Sequence, residues 1–460
     1  MSVRTSVLAL LAVVVLTAAG CGAGKSSGAS LTFWTAEDNP VRVKATQAIV
    51  ARFERQTNIK VKLVAIGEDQ IESRITSASA AGSLPDVLGA LPLGFVHLLA
   101  ADGITNPDAA ADVVNNLGRE SFSSRALSLI EVEGKPVAIP SDSWTQLLVY
   151  RKDLFDRTGL AAPRTFEAMR KAAAMLEGDG MAGIVAATKP GDPFTQQTFE
   201  HFALANDCQL TDDRVNVTLT SPACVNTFKF YVDLIHNGSV RGVQDADTAR
   251  AAYLAGRAAM VVWSSFILDE LAGLGDDTPS TCPQCRGDRS FLARNSGIVT
   301  AIDGPDGGEP TEFGEVTSFA ITQDADKDAA KRFVEFMMSD GYVDWLALAP
   351  EGKFPVRAGT REQPSKFIEA WNHLQTGVDR REPLSEIYPR NVLEALRTST
   401  ATMSRWGFPQ GEGQGRLAGA QLAELPIPMA LAAALAGRLN AAAAAEQAQA
   451  DVEKIARSVR

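Results

Sequence analysis

Five cysteines and four histidines are the side chains through which this chain of 460 residues could bind a metal or run redox chemistry. His97, His201, His236 and His373 lie far apart in sequence and no HExxH occurs, so the paired imidazoles of a zinc site are missing. Cys282-Pro283-Gln284-Cys285 has CxxC spacing, but a redox pair opens a helix after a strand. Here Asp276, Asp277, Pro279, Gly287 and Asp288 surround it, which is loop composition. Gly24-Lys25-Ser26-Ser27-Gly28 satisfies GxSxG without the strand that a nucleophile elbow needs, and Gly20 stands one residue too close for a phosphate loop. Gly411-Glu412-Gly413-Gln414-Gly415 is equally loop-like. No metal, cofactor or catalytic nucleophile is expected.

Cys21 has a different use. It closes Leu16-Thr17-Ala18-Ala19-Gly20-Cys21, after an apolar run over residues 7–19 that follows Arg4. A basic start, a short apolar core of roughly thirteen residues and small residues before the cut describe an export signal, too short to span a bilayer. A cysteine as first residue after the cut resembles a bacterial lipoprotein signal, in which the thiol carries a lipid; Ala18 stands where that pattern prefers leucine. Residues 1–20 are thus the expected signal peptide and 21–30 a Gly/Ser-rich tether. Outside the cytoplasm thiols tend to pair, so Cys208 with Cys224 and Cys282 with Cys285 are expected disulfides.

Composition narrows the partners. Net charge is −11, from 44 basic and 55 acidic residues, which disfavours nucleic acid and anionic membrane surfaces. At 45% hydrophobic residues and mean hydropathy −0.02 the chain is globular, and its length suffices for two cores.

The elements that must position any site alternate. Leu31-Thr32-Phe33-Trp34-Thr35 is β-prone, residues 41–56 carry apolar positions at helical spacing, and Ile59-Lys60-Val61-Lys62-Leu63-Val64 alternates as a strand. Helix is then expected over 71–81, strand over 85–88 and helix over 95–101. A turn with a short strand over 134–140 precedes a strand over 146–150. Helices follow at 165–176, 199–206, 225–236 and 248–254, then a turn at Gly256 and a strand ending at Trp263. Later helices are expected at 326–338 and 342–348, with one or two docking helices in 429–460. Alternation of this kind implies an α/β fold with largely parallel sheets.

Several stretches, in order, resemble the family-1 extracellular solute-binding proteins of ABC importers, the carbohydrate-binding, maltose-binding-protein-like group. They are residues 31–34, 57–63, Pro85-Asp86-Val87, 134–140 with Tyr150-Arg151-Lys152-Asp153-Leu154-Phe155, and Gly159-Leu160 with Pro163, Thr165 and Phe166. Residues 256–260 with Trp263, 330–336 and Phe354-Pro355-Val356-Arg357 complete the set. The resemblance implies an α/β, two-lobed type II binding-protein fold, each lobe a mixed sheet flanked by helices with ligand in the cleft between. Lobe 1 would comprise 31–141 with 300–352, and lobe 2 142–299 with 353–460. It further implies a carbohydrate ligand, permease partners, no enzymatic activity, a monomer, and attachment to the membrane through lipidated Cys21.

A sugar site needs flat apolar faces for the C–H side of the ring and planar polar groups for vicinal hydroxyls. Trp34, Glu37 and Asp38 sit where the first strand gives way to a helix, the place at which α/β sheets present ligands. The resemblance adds Trp144 as a stacking ring, Asp192 with Phe194, Trp263 with Ser264 as a cleft platform, and Arg405 with Trp406 near the C terminus. Asp86 either touches ligand or caps the chain, and Arg357 could hold the hinge by an ion pair. Trp345 and Trp371 are expected to pack, and the acidic runs 245–247 and 324–328 to be solvated. Around residues 92–95 the chain lacks the tryptophan and aspartate of the maltose binder, and Asn39 replaces its lysine. Rival functions are the same fold carrying a glycerophosphodiester, peptide or iron complex, and a secreted glycosidase, which needs two facing carboxylates.

One prediction follows from Cys21. Protein extracted from membranes should lack residues 1–20 and carry an acyl-glyceryl mass on Cys21, and Cys21→Ser should abolish that mass. An intact, unmodified leader found by mass spectrometry would remove the anchor.

Overall fold

The protein is described here from a computed structural model that covers residues 30–276, 278–407 and 414–459. Cys21 and the expected signal peptide lie outside these residues. Eight strands carry the architecture: β1 (Ser30–Thr35), β2 (Lys60–Ala65), β3 (Val87–Pro92), β4 (Ile139–Arg151), β5 (Met260–Ser264), β6 (Ser296–Val299), β7 (Gly314–Ile321) and β8 (Phe354–Pro355).

β1 buries Leu31, Phe33 and Thr35 while Thr32 and Trp34 stay half-buried, the alternation that its sequence dictates. The helix Pro40–Thr57 follows. Asn39 caps it by accepting the Val41 and Arg42 N–H groups, Pro40 presets its first turn, and Asn58 ends it at a left-handed φ of 59°. β2 then returns parallel to β1, with Phe33 opposite Leu63, and β3 lies parallel on the other side, with Trp34 opposite Leu88. β7 is antiparallel to β3 and β4, giving the mixed order β8-β4-β7-β3-β1-β2.

β4 belongs to two sheets. Its residues 139–145 pair with β7, whereas 146–151 lie between β5 and β6, with Leu147 opposite Trp263 and Val149 opposite Ile298. At about 3.3 Å per residue such a strand extends roughly 43 Å, enough to run through both lobes. The chain crosses again beside it. The Phe313 carbonyl accepts the Gln146 N–H at 3.1 Å and the Thr145 hydroxyl at 2.7 Å, and Phe313 bridges to Ser404. The sequence suggests two short strands here, in 134–140 and over 146–150, whereas one strand runs unbroken through Ser141, Asp142, Ser143, Thr145 and Gln146. All five are buried, and Asp142, Ser143 and Thr145 spend their side chains on internal hydrogen bonds.

Each lobe has its own aromatic core. Phe33, Phe53, Phe319, Phe333 and Phe336 interlock in the first, and Phe166, Phe199, Phe202, Phe228, Phe230 and Tyr231 in the second. The helices Pro193–Ala205 and Pro222–Gly238 cover the second lobe, with Pro426–Leu435 and Ala441–Ser458 docked on them. Both expected disulfides are formed, Cys208–Cys224 and Cys282–Cys285.

Three expectations differ from the packing. The chain does not leave the first lobe at residue 353: Phe354 and Pro355 pair with Ser143 and Asp142 in the first sheet, and Lys366–Asn372 packs on Tyr342–Leu346. The helix Gln414–Glu424 likewise packs on Leu93–Ala101 of the first lobe. Arg357 makes no ion pair among the described residues. It is buried, donating to the Ser121 hydroxyl and the Leu117 and Met338 carbonyls between the rings of Phe122 and Phe367. Asp86 takes the second of its two expected roles, since its carboxylate accepts the Thr32 N–H at 2.7 Å and the Asp326 N–H at 2.9 Å, tying β1 to the loop before Lys327–Met337. Trp345 and Trp371 are core residues, as expected.

Asp86→Ala should therefore cost about 1–3 kcal/mol, the range for lost hydrogen bonds to a charged acceptor. Urea titration measures it; an unchanged midpoint would show that Asp86 does not tie the two segments.

Candidate functional site

A cavity of about 750 Å³ opens between the lobes. On the first lobe its wall is built at the carboxyl ends of β1 and β3, which diverge into Pro40–Thr57 and Leu93–Ala101 and so leave a crevice at the sheet's switch point. Ala36, Glu37, Asp38 and Asn39 come from the first of these turns, and Pro92, Phe95 and Leu98 from the second. β4 supplies Asp142 and Trp144, and Gln414–Glu424 supplies Leu422. Across the cleft stand Asp192, Pro193, Phe194 and Gln197 at the start of Pro193–Ala205, and Trp263, Ser264 and Phe266 at the end of β5.

Of the residues expected at the site, Glu37, Asp38, Trp144, Asp192, Phe194, Trp263, Ser264 and Arg405 line this cavity. Trp34, Asp86 and Trp406 do not. Trp34 packs against the isoleucine-rich cluster of Ile66, Ile71 and Ile75, because strand alternation turns it to the sheet face away from Phe33. Asp86 is spent on backbone amides, as above. Trp406 is fully buried, its indole N–H donating to the Cys208 carbonyl at 2.6 Å.

Two buried ion networks hold the walls. Lys353, 3% exposed, lies between Glu37 (3.5 Å) and Asp142 (3.4 Å), with its ammonium 4.5 Å from the Trp345 ring centre. Asp142 also accepts from Ser141, Thr317 and the Trp345 indole. Glu37 takes a second partner, Arg42, at 3.1 Å. Burial would raise the Glu37 carboxyl, yet Lys353 and Arg42 outweigh it and hold the group below the usual carboxylate range. Arg42 also faces the other lobe, 5.3 Å above the Phe266 ring.

The second network is centred on Arg405, which was expected to clasp hydroxyls. Its guanidinium instead joins Glu200 of the second lobe (2.9 Å) to Glu315 of β7 and lies 4.7 Å from the Phe313 ring centre. Glu200 also accepts the Trp406 N–H, and Glu315 the Leu93 N–H. Although burial would lower it, Arg405 is held above its ordinary value by the two carboxylates. Burial pushes Glu200 up, Arg405 offsets this in part, and Glu315 adds to the rise. The two directions are compatible, because one guanidinium serves two acids.

The rings differ in what they offer. Trp144, Phe95, Phe194 and Phe266 are half-buried and line the cavity. Trp263 is 8% exposed, its indole N–H donates to the Ala246 carbonyl at 2.8 Å, and Arg250 stacks 5.1 Å from its ring centre. Asp192 caps its helix through the Thr195 N–H at 3.0 Å. Among the described residues no group of three or more His, Cys, Asp or Glu is arranged to hold a metal ion.

Sequence reasoning missed Arg42, Lys353, Asp142, Glu315 and Phe266. Glu315 and Asp142 had a usable signal, being acids inside otherwise apolar or β-prone segments; Lys353 and Phe266 had none.

Comparison with known proteins agrees with the two-lobed fold. The profile of a family described as bacterial extracellular solute-binding protein matches residues 38–344. YcjN of Escherichia coli K12, a periplasmic-binding protein whose name assigns it to an ABC transporter, is 26% identical over 351 residues, 73% of this chain and 75% of YcjN. The GacH receptor of Streptomyces glaucescens, solved unliganded and with acarbose, superposes with a TM-score of 0.71 at 18% identity, covering 93% of this chain and 98% of GacH. A sugar transporter component of Arthrobacter chlorophenolicus with bound laminaribiose gives 0.70 at 17% identity, covering 92% and 99%.

Arg405→Met would leave Glu200 and Glu315 buried without a counter-charge, at an expected cost of about 3–5 kcal/mol near neutral pH. Glu200, whose folded pKa is raised by burial, destabilises the fold as pH rises past its unfolded value, so the deficit should shrink as pH falls toward about 4. Denaturant titrations at neutral and acid pH test this; a deficit independent of pH would contradict it.

Proposed function

The chain belongs to the bacterial extracellular solute-binding proteins, and from that premise we propose that it captures a carbohydrate between its lobes and delivers it to the permease of an ABC importer. The observation that carries the reading is the interlobe cavity, whose walls bring together five aromatic rings and six carboxylates. Aromatic faces desolvate the C–H side of a pyranose, and fixed carboxylates accept hydroxyl protons in a defined arrangement. We further propose that the protein works as a monomer tethered by lipid on Cys21, outside the cytoplasm.

Closure is the mechanism. Trp144 and Phe95 stand on one lobe and Phe194, Trp263 and Phe266 on the other, so a ligand that touches both sets favours the closed arrangement by its differential affinity. β4, the segment at Phe313 and the segment at Ser404 are the crossings about which closure would turn. Asp38, Asp192 and Ser264 are the proposed hydroxyl partners. Arg405 is proposed to act from the cavity floor, by holding Glu315 in place.

Calorimetry against mono- and disaccharide panels, with glycerophosphocholine and peptides included, tests the cargo; hydrolysis of an oligosaccharide by the purified protein would favour an enzyme instead. Trp144→Ala should weaken sugar binding roughly ten- to hundredfold with little loss of stability, since the ring is half-buried. Trp263→Ala should weaken binding similarly but also lower the melting temperature, because its indole is packed and hydrogen-bonded. Unchanged affinity in both would move the site elsewhere.

A further inference from the structure

The charges around the cavity do not balance. Three basic groups line it, Arg42, Lys353 and Arg405, and each is already bound to internal carboxylates: Glu37, Glu37 with Asp142, and Glu200 with Glu315. Three further carboxylates, Asp38, Glu72 and Asp192, line it without any basic partner among the described residues. Asp38 and Glu72 have no side-chain hydrogen bond there either, and Asp192 uses one oxygen to cap its helix. Burial with no compensating cation raises the Glu72 carboxyl. Among the described residues the cavity therefore has no free basic side chain to neutralise an anion, and three carboxylates that would welcome a cation.

The aromatic walls point the same way. Ring faces attract cations as well as C–H groups, and this protein already places Arg42 over Phe266 and Arg250 over Trp263. Free carboxylates beside half-buried rings are the pairing that recognises a protonated amine.

Resting on the carbohydrate reading, we infer that the ligand class is a saccharide or polyol bearing a protonated amine, and that phosphorylated and acidic sugars are rejected. Asp38 and Glu72 set this preference from the first lobe and Asp192 from the second. Closure then brings the amine between carboxylates of both lobes.

The test uses the mature protein and a panel of mono- and disaccharides, each as the free amine, its N-acetylated form and its phosphate ester, at slightly acidic pH and low salt. Calorimetry should show the amine bound at least tenfold more tightly than the N-acetyl form and the phosphate ester at least tenfold more weakly. Added salt should narrow both gaps. Glu72→Gln should remove much of the amine preference while melting temperature and N-acetyl affinity hold, as this side chain lines the cavity without a hydrogen bond or ion pair among the described residues. Equal affinity for amine and N-acetyl forms, or a preference undiminished by this substitution, overturns the inference and leaves the carbohydrate reading standing. Binding of none of the panel overturns both.

Discussion

A buried charge needs a partner, and that requirement shapes the centre of this molecule. Lys353, Asp142, Glu200, Glu315 and Arg405 are all nearly inaccessible to water. Each would cost several kcal/mol if left alone, so their positions are fixed by one another to within hydrogen-bonding distance. Lys353 ties the β1 turn, through Glu37, to Asp142 in β4; Arg405 ties β7, through Glu315, to the second lobe's helix, through Glu200. The cavity walls are the outer surfaces of these networks. Because they consume every basic group that lines the cavity among the described residues, they also decide its electrostatic character.

The networks act on a frame with one continuous element. β4 runs through both sheets, hydrogen-bonded to β7 along one stretch and to β5 and β6 along the next. A strand buried on both faces usually reads as a continuous apolar run. This one carries Ser141 to Ser143, Thr145 and Gln146 at the point where it passes between lobes, and there backbone and side chains hydrogen-bond to Phe313, Thr317 and Thr400 instead. The polar stretch is what lets a strand leave one core and enter another.

Much of the fold was legible because local rules decided it. Asn39-Pro40 and Thr57-Asn58 bracket a helix by capping and left-handed geometry, and the β1 and β2 alternation follows from burial on one face. The disulfides followed from cysteine number and compartment. The site was legible in part: the β1 turn, Asp192, Phe194 and Trp263 are found at the cavity, yet Trp34 turns away by one step of strand alternation and Trp406 is committed to the core. Arg405 came from the family resemblance, whereas its partners Glu200 and Glu315 lie 205 and 90 residues away in sequence.

From sequence alone come the family resemblance, the alternating α/β order, the expectation of an export signal and the four paired cysteines, since each depends on neighbours in the chain or on counting. Tertiary structure alone decides which lobe takes residues 353–372, which carboxylates are neutralised and which stay free, and which indoles reach the cavity. Those outcomes depend on desolvation and on contacts between segments hundreds of residues apart, and no local pattern records them.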